Sequence, residues 1–519
     1  MNAAKHSLVV IITVCTLCAS YIARADDATN TTMTATKVTV PTSKTRMYIT
    51  IRECITRALQ NNLDIQIQRL NPSIQSWGVV LAQSTYDPAL KGSAAYMDSK
   101  SASLITYYSG ASEATTTTPV RTVSLSPSVG LGGTFVSGAT YDLSASPYGS
   151  GPSLNSNFVY SGTTAFSVTQ PLLKNFGFGV NTAFIRIARK SQEIAVQNFI
   201  LQVINSVSAV ENAYYELVYA IENYKATQED LALAKQLLDE TRRKVQIGVS
   251  SPLDVTTAES GVASREEAII LAERTILDNE NALKLVISQN VLEFRDVSLT
   301  PVDYPLVEMV ETDVARSIRT ALDMRPDYLA AKNSVEKQNI QVKYDRNQLW
   351  PEVDLSGSYG WNGVGGSIDD WASSIGSREL PVWSAGLTVT IPLGNRQARS
   401  NYQAARLQAE QLLVQLKQLE QQIIVAVDNA AGHVQTNLKS AEAASVALRL
   451  AEESYQAERT KLLAGTSTTL NVLTQESALA DARSAEIRAR ANYMESLVAL
   501  AQAEGTTLQK NDIVMDERF

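Results

Sequence analysis

The chain is poor in the two residues on which most catalytic and metal chemistry rests: its 519 residues hold two histidines and three cysteines. His6, Cys15 and Cys18 fall in an N-terminal stretch with the marks of a secretion signal, so the mature chain keeps His433 and Cys54 alone. A zinc site, a Cys/His nucleophile or a Ser-His-Asp triad has almost nothing to be built from, and no enzyme, metal site or cofactor is expected. Cys54, alone in a helical pattern, reads as a small buried apolar residue. Beyond the signal no uncharged apolar run approaches about 18 residues, which argues against a transmembrane helix. A basic surplus is also missing: 45 basic residues stand against 53 acidic ones, net −8, which is no signature of a nucleic-acid partner.

What the chain does have is a duplication. Gly-Val-Ser-Ser-Pro-Leu-Asp-Val-Thr-Thr-Ala-Glu-Ser at 248–260 returns at 465–477 as Gly-Thr-Ser-Thr-Thr-Leu-Asn-Val-Leu-Thr-Gln-Glu-Ser. Each copy reads as the turn of a helical hairpin: Gly248 and Gly465 end one helix, Ser251 and Thr468 cap the next, and Pro252 takes the first helical position. Long heptad stretches lead into both turns. Val203, Val210, Leu217, Tyr224, Leu231, Leu238 and Val245 precede the first; Val427, Val434, Ala441, Leu448, Tyr455 and Leu462 precede the second. Such repeats predict coiled-coil packing, with Tyr214 and Tyr224 as seam fillers. A helix from about 181 to 247 is roughly 100 Å long, far more than a compact core needs. Glu259 and Glu476 recur in both copies without a base or metal set beside them. Arg242, Arg243 and Lys244 read as a solvated face, and Arg459 and Lys461 recur near the second turn.

Read in order, residues 1–25 form a signal peptide, with Lys5 and His6, an apolar run from Leu8 to Cys18, and Ala23-Arg24-Ala25 before Asp26. Bulky Leu17 argues against Cys18 as a lipid anchor. Residues 26–46 read as a flexible leader, 47–293 as a first repeat, 294–312 as a linker, 313–505 as a second repeat and 506–519 as a tail. The capping box Thr50-Ile-Arg-Glu53 opens a helix towards Ser84, and Tyr86-Asp87-Pro88 stops it. Period-two alternation follows: Leu90, Gly92, Ala94 and Tyr96, then Thr164, Phe166 and Val168. In the second repeat Val353, Leu355, Tyr359 and Trp361, then Trp383, Leu387 and Val389, alternate with Ser, Gly and Thr. Apolar residues on one face and small polar ones on the other suit a strand between lipid and water, with Trp361 and Trp383 as interface girdle residues. The first repeat carries about forty extra residues, including a further alternating pair, Val123–Leu131 and 135–145, joined at Gly132-Gly133. Its placement, in the same wall or apart from it, stays open. Residues 101–120 and 146–159 read as exposed loops.

Four such short strands cannot close a barrel, and open edges are not tolerated in lipid. A cyclic oligomer that shares one barrel, continued by a tube of helices, satisfies both constraints. A structural or adhesive coiled-coil protein would explain the heptads but neither the strands nor the reversals; an exported enzyme would need a polar constellation the chain lacks.

The order of Ala58-Leu-x-x-Asn62, Tyr86-Asp87-Pro88, Gln170-Pro171-Leu172-Leu173, the two Gly-x-Ser turns and Ile391-Pro392-Leu393-Gly394 resembles the TolC-like outer-membrane efflux factors over about 50–505. The resemblance implies a mixed α and β membrane protein: a homotrimer with a shared twelve-strand barrel in outer-membrane lipid and a helical periplasmic tunnel. It also implies a periplasmic adaptor (membrane fusion protein), an RND, ABC or MFS inner-membrane pump, and passive export of a substrate that could be a drug, a metal or a protein. The tip and gate would then comprise Gly248, Ser250, Pro252, Leu253, Asp254 and Val255 with Gly465, Ser467, Leu470, Asn471, Val472 and Thr474. Relatives resembling drug exporters carry two acidic residues after the second turn, where this chain has Asn471 and Thr474. Asp254 alone keeps a carboxylate, as a gate charge or as part of a helix cap.

Overall fold

The computed structural model describes residues 45–110, 112–154, 158–303 and 313–515. The signal peptide and nearly all of the leader lie outside them. In chain order the elements are β1 (Thr45–Ile49), α1 (Ile51–Asn61), α2 (Leu63–Gln83), β2 (Ala89–Ser109), β3 (Ser112–Thr134), β4 (Thr140–Gly151), β5 (Val159–Pro171), the single turn α3 (Phe178–Asn181), α4 (Ala183–Gln246) and α5 (Pro252–Ile287). Then come β6 (Val297–Pro301), α6 (Val314–Met324), α7 (Pro326–Asn347), β7 (Glu352–Gly365), α8 (Ile368–Ser377), β8 (Pro381–Thr390), α9 (Arg396–Leu463), α10 (Thr469–Glu504) and the short α11 (Thr507–Lys510). No helix among the described residues is long and apolar enough to cross a membrane.

The helix expected over 50–84 is two helices, and so is its counterpart in the second repeat. The two breaks are chemically different. Asn62 turns extended and its Oδ1 accepts from the N–H groups of Asp64 and Ile65, restarting the chain as α2. In the second repeat Pro326 clashes with a helical conformation at Arg325, which also turns extended, and Pro326 becomes the first residue of α7. The capping box at the first start is present, with Glu53 N–H donating to Thr50 Oγ1 at 3.2 Å and Thr50 N–H to Glu53 Oε2 at 3.3 Å.

Heptad residues close the long helices on one another. Val203, Val210, Leu217, Val427 and Val434 are all buried. α4, of 64 residues, is about 96 Å long and α9, of 68, about 100 Å. α2 packs on α4, α4 on α7 and α7 on α9, a wall of four helices; towards the turns α5, α4, α10 and α9 take over. Tyr214 is fully buried, with its hydroxyl accepting from Asp303 N–H at 3.2 Å. Tyr224 donates to Glu273 at 3.1 Å. Cys54 is fully buried, and burial pushes its thiol up to about 12, as expected of an inert packing residue.

The segment read as a linker contributes β6, which pairs with β1. The buried ion pair Glu280–Lys284, 3.6 Å, fixes it: Glu280 accepts from Leu299 N–H, and Lys284 Nζ donates to the Val297 carbonyl at 2.5 Å. The tail is likewise docked, with Leu508, Ile513 and Met515 against the core around Tyr214.

The strands form one antiparallel sheet in the order β2-β3-β4-β5-β7-β8, six strands where four were expected. The extra pair is in the same sheet. It is β3 and β4 rather than a hairpin at Gly132-Gly133: the chain turns at 135–138, where Gly138 takes φ +92° and a Cβ would lie 2.4 Å from the Asn175 carbonyl. Residues 101–109 and 112–120 are not a loop either. They are the far half of a β2–β3 ribbon paired from Ala89–Gly132 to Ser109–Ser112, although β4 reaches only to Val123. Thr and Tyr are good strand formers, and a run of polar residues on both faces of a ribbon carries no period-two signal to tell it from a loop. Residues 146–151 belong to β4 despite Pro147, Gly149 and Gly151, with Ser146–Ser150 paired to Val159–Thr163 of β5; 155–157 lie outside the described residues.

Candidate functional site

Cross-strand register shows how the sheet sorts its faces. Leu90 stands opposite Leu131, Leu131 opposite Leu143, Leu143 opposite Phe166, Phe166 opposite Tyr359 and Tyr359 opposite Trp383. One apolar row therefore crosses all six strands, and every member is 41–73% exposed in the single chain. The alternate row, Ala89, Gly132, Asp142, Ser167, Ser358 and Ser384, is small or polar. Such sorting suits a sheet set between an apolar medium and a polar one. Trp361 and Trp383 lie on the apolar face as expected, Trp361 stacked edge-on with Tyr359 at 5.3 Å.

Both hairpin tips end their first helix in the same backbone motif. Gly248 (φ +78°) and Gly465 (φ +76°) stand in the left-handed region. Val249 N–H reaches back to the Lys244 carbonyl at 2.9 Å and Thr466 N–H to that of Lys461 at 2.9 Å, with Gly248 and Gly465 bonding to Val245 and Leu462. Backbone N–H groups thus reach the last carbonyls of each helix, which only a residue tolerant of positive φ permits; at the second tip Thr466 Oγ1 adds a bond to the Lys461 carbonyl at 3.2 Å.

The restart differs. Ser251 Oγ accepts from Leu253 N–H at 3.2 Å, with Pro252 at the first helical position. Asp254 Oδ2 accepts from Ser251 N–H at 2.9 Å and from Ser250 Oγ at 2.6 Å. These two bonds, the Ser250 hydroxyl first, hold the Asp254 carboxyl below the usual carboxylate range. At the second tip Thr468 Oγ1 accepts from Asn471 N–H at 3.3 Å, and Asn471 Nδ2 donates to Ser467 Oγ at 3.4 Å. Ser467 in turn donates to Glu458, a residue of the incoming helix that Lys461 also holds at 3.0 Å. The Ser467 hydroxyl, then Lys461, depresses the Glu458 carboxyl. Glu458 was not foreseen. Its sequence signal is slight, a carboxylate three residues before Lys461 and nine before Ser467.

The other tip residues divide into buried and exposed. Val472 is fully buried with Leu237, Tyr455, Leu462 and Leu479, and Val255 packs on Leu238 and Val262. Thr474 bonds its own helix, to the Leu470 carbonyl. Leu253 is 71% exposed and Leu470 61%, and Ile247, Val249 and Leu463 are exposed beside them. The basic run is only partly a solvated face. Arg242 pairs with Glu259 at 2.7 Å, Lys244 Nζ donates to the Leu462 carbonyl at 3.0 Å, and Arg459 pairs with Glu240 at 2.8 Å, so the last two tie one hairpin to the other.

Comparison with known proteins gives the same outline. The family model described as outer membrane efflux protein matches residues 54–289 and 317–506. The outer membrane protein TolC of Vibrio cholerae is 23% identical over 316 residues, 59% of this chain and 68% of the relative. A probable efflux pump outer membrane protein of Pseudomonas putida, TtgC, is 24% identical over 178 residues, 33% of each chain. Among solved structures, the outer-membrane channel OprN overlays with a TM-score of 0.66 at 16% identity, covering 88% of this chain and 90% of its own. VceC of Vibrio cholerae does so with 0.64 at 17% identity, covering 88% and 96%.

Proposed function

The chain belongs to the outer membrane efflux protein family, and from that premise we propose that it is the outer-membrane duct of a tripartite efflux or type I secretion assembly. In this reading three copies share one barrel, the helices form a periplasmic tunnel, and substrate passes passively while an inner-membrane pump supplies the energy. The observation that carries it is the pair of open sides. The sheet ends at β2 and β8, and the helical wall ends at α2, which leads into β2, and at α9, which follows β8. Both layers therefore lack a neighbour on the same two flanks. α2 bares Leu63, Ile67, Leu70, Ile74, Trp77 and Leu81 at heptad spacing, and α9 bares Leu407 and Val414. A second copy would cover both edges at once, and cyclic repetition leaves no edge in lipid.

Three sheets of six give a barrel of eighteen strands, a size that leaves an aqueous channel. The apolar row supports the extra pair as part of that wall: it runs through Leu131 and Leu143 without a step. At the other end the exposed Ile247, Val249, Leu253, Leu463 and Leu470 offer an apolar surface for the periplasmic adaptor. Asp254, Asn471 and Thr474 would line the closed mouth, three of each by symmetry. Mass measurement in detergent with planar-bilayer recording tests the reading. Conducting trimers are expected; a folded monomer that conducts alone would contradict it.

A further inference from the structure

Two carboxylates of the duplicated motif hold the same place in their copies and meet opposite surroundings. Glu259 of α5 is half exposed and paired with Arg242. Glu476 of α10 is 2% exposed, and its Oε2 has no hydrogen-bond partner among the described residues. It lies in the seam between the two hairpins, beside buried Tyr455, Val472 and Leu479. An isolated buried carboxylate without its full set of partners is costly to ionise.

Every element packed around it presents a titratable or charged group. α4 contributes Asp230 and Glu240, α5 contributes Arg265, α9 contributes Tyr455 and Arg459, and α10 itself contributes Arg483. Two of the three cations are already engaged: Arg483 with Asp230 at 3.0 Å and Arg459 with Glu240 at 2.8 Å. Arg265 attracts Glu476 without reaching ion-pair distance among the described residues. Burial pushes the Glu476 carboxyl up to about 7; the Arg265 guanidinium pulls the other way and the Asp230 carboxylate reinforces the rise.

We propose that Glu476 is a proton-operated latch between the two hairpins: neutral, it fits the seam and holds the second tip against the first; ionised, it forces α10 away from α4 and frees the tips to part. The proposal rests on the reading of the tips as the mouth of the duct. A parted seam would hydrate Glu476 and return it to the ordinary carboxylate value, about 4.3. The closed form thus binds the proton more tightly than the open one. Its advantage is fully present below the ordinary value, fades as pH rises, and is gone above about 7. Farther along α10, Glu495 and Glu216 of α4 form another carboxylate pair around Arg488. Nineteen residues of helix, about 28 Å, separate Glu495 from Glu476, so it acts on a different stretch of the seam.

The test places spin labels at exposed Ser260 and Ser477, by Ser260→Cys and Ser477→Cys in a Cys54→Ala background. The labelled full chain, diluted with unlabelled chain in detergent, is read by pulsed dipolar spectroscopy at pH 5 and pH 8. The distance distribution should lengthen and broaden at pH 8, Glu476→Gln should hold the pH 5 distribution at both values, and Glu259→Gln should behave as wild type. Should Glu476→Gln fail to assemble, Arg265→Met decides alone, because losing that cation should move the midpoint of the change to higher pH. A wild-type distribution indifferent to pH would overturn the latch. So would a Glu476→Gln variant that follows wild type, an unmoved midpoint in Arg265→Met, or loss of the change in Glu495→Gln instead. The labels report hairpin separation whether or not the protein conducts, so failure of the latch and failure of the duct reading give different results.

Discussion

At the first tip the carboxylate that holds the turn stands on the outgoing helix, at Asp254; at the second it stands on the incoming helix, at Glu458. The matching positions, Asn471 and Thr241, are neutral, and Thr241 spends its hydroxyl on the Leu237 carbonyl. Both solutions bring one negative charge to a serine at the helix start, and both leave the glycine motif untouched. Backbone demands such as positive φ admit few residues, so they recur in both copies. A charge near a helix N-terminus can be delivered from several places, so its position drifts. The same contrast runs through the whole duplication: Asn62 against Pro326 at the helix break, paired Glu259 against buried Glu476, four strands against two.

The sharpest way to break the comparison lies in the sheet. Leu143 of the extra pair and Leu387 of the second repeat stand on the same apolar face in different rows: Leu143 lies in line with Phe166, Tyr359 and Trp383, and Leu387 stands opposite Leu355. Leu143→Arg and Leu387→Arg should each destabilise, by up to about 2–4 kcal/mol, while Thr388→Arg, on the polar face, should fold and alter conductance. Heat-modifiability of the assembled oligomer on gels reads both. Sensitivity at Leu387 alone would remove β3 and β4 from the wall.

The helix breaks come next. Asn62→Ala removes a cap and leaves the Val286 carbonyl without the Asn62 Nδ2 that donates to it at 3.0 Å; a loss of about 1–2 kcal/mol is expected in thermal unfolding. Pro326→Ala, which changes mainly chain stiffness, should cost about 0.5 kcal/mol. Equal losses would mean that the two breaks are held in the same way.

The smallest effects are at the tips. Asp254→Asn should cost roughly 1 kcal/mol or less of tip stability and lower cation selectivity, read as the reversal potential in asymmetric KCl. An unchanged potential with normal trimers leaves Asp254 as a cap alone. The Asp254 and Glu458 carboxyls are both depressed in the folded chain. Their contribution is therefore present at neutral pH and lost as pH falls through and below the ordinary carboxylate range. Amide exchange at 249–254 and 466–471, corrected for intrinsic rate, should rise there; Asp254→Asn should abolish the change at the first tip only.

The duplicated turns and the heptads were legible because glycine, proline and a seven-residue period have few structural meanings. The strands of the second repeat were legible for a related reason, since Trp383, Leu387 and Val389 alternate cleanly with small residues. The β2–β3 ribbon was not, because Thr115 to Thr118 has no apolar partner face to reveal a period of two. Nor was the docking of Ile513 and Met515, which depends on a core assembled from residues some 300 positions away. At the site, Glu458 and the burial of Glu476 are tertiary facts: Glu259 and Glu476 look alike in sequence and differ only in what the other hairpin places over them.

The most direct test of the account is to count the strands around the barrel of the assembled protein by electron cryomicroscopy in a lipid nanodisc. Three chains contributing six strands each, with Leu131 and Leu143 facing lipid, is the predicted result. A closed barrel with only four strands from each chain, and β3 and β4 lying off the wall, would contradict it.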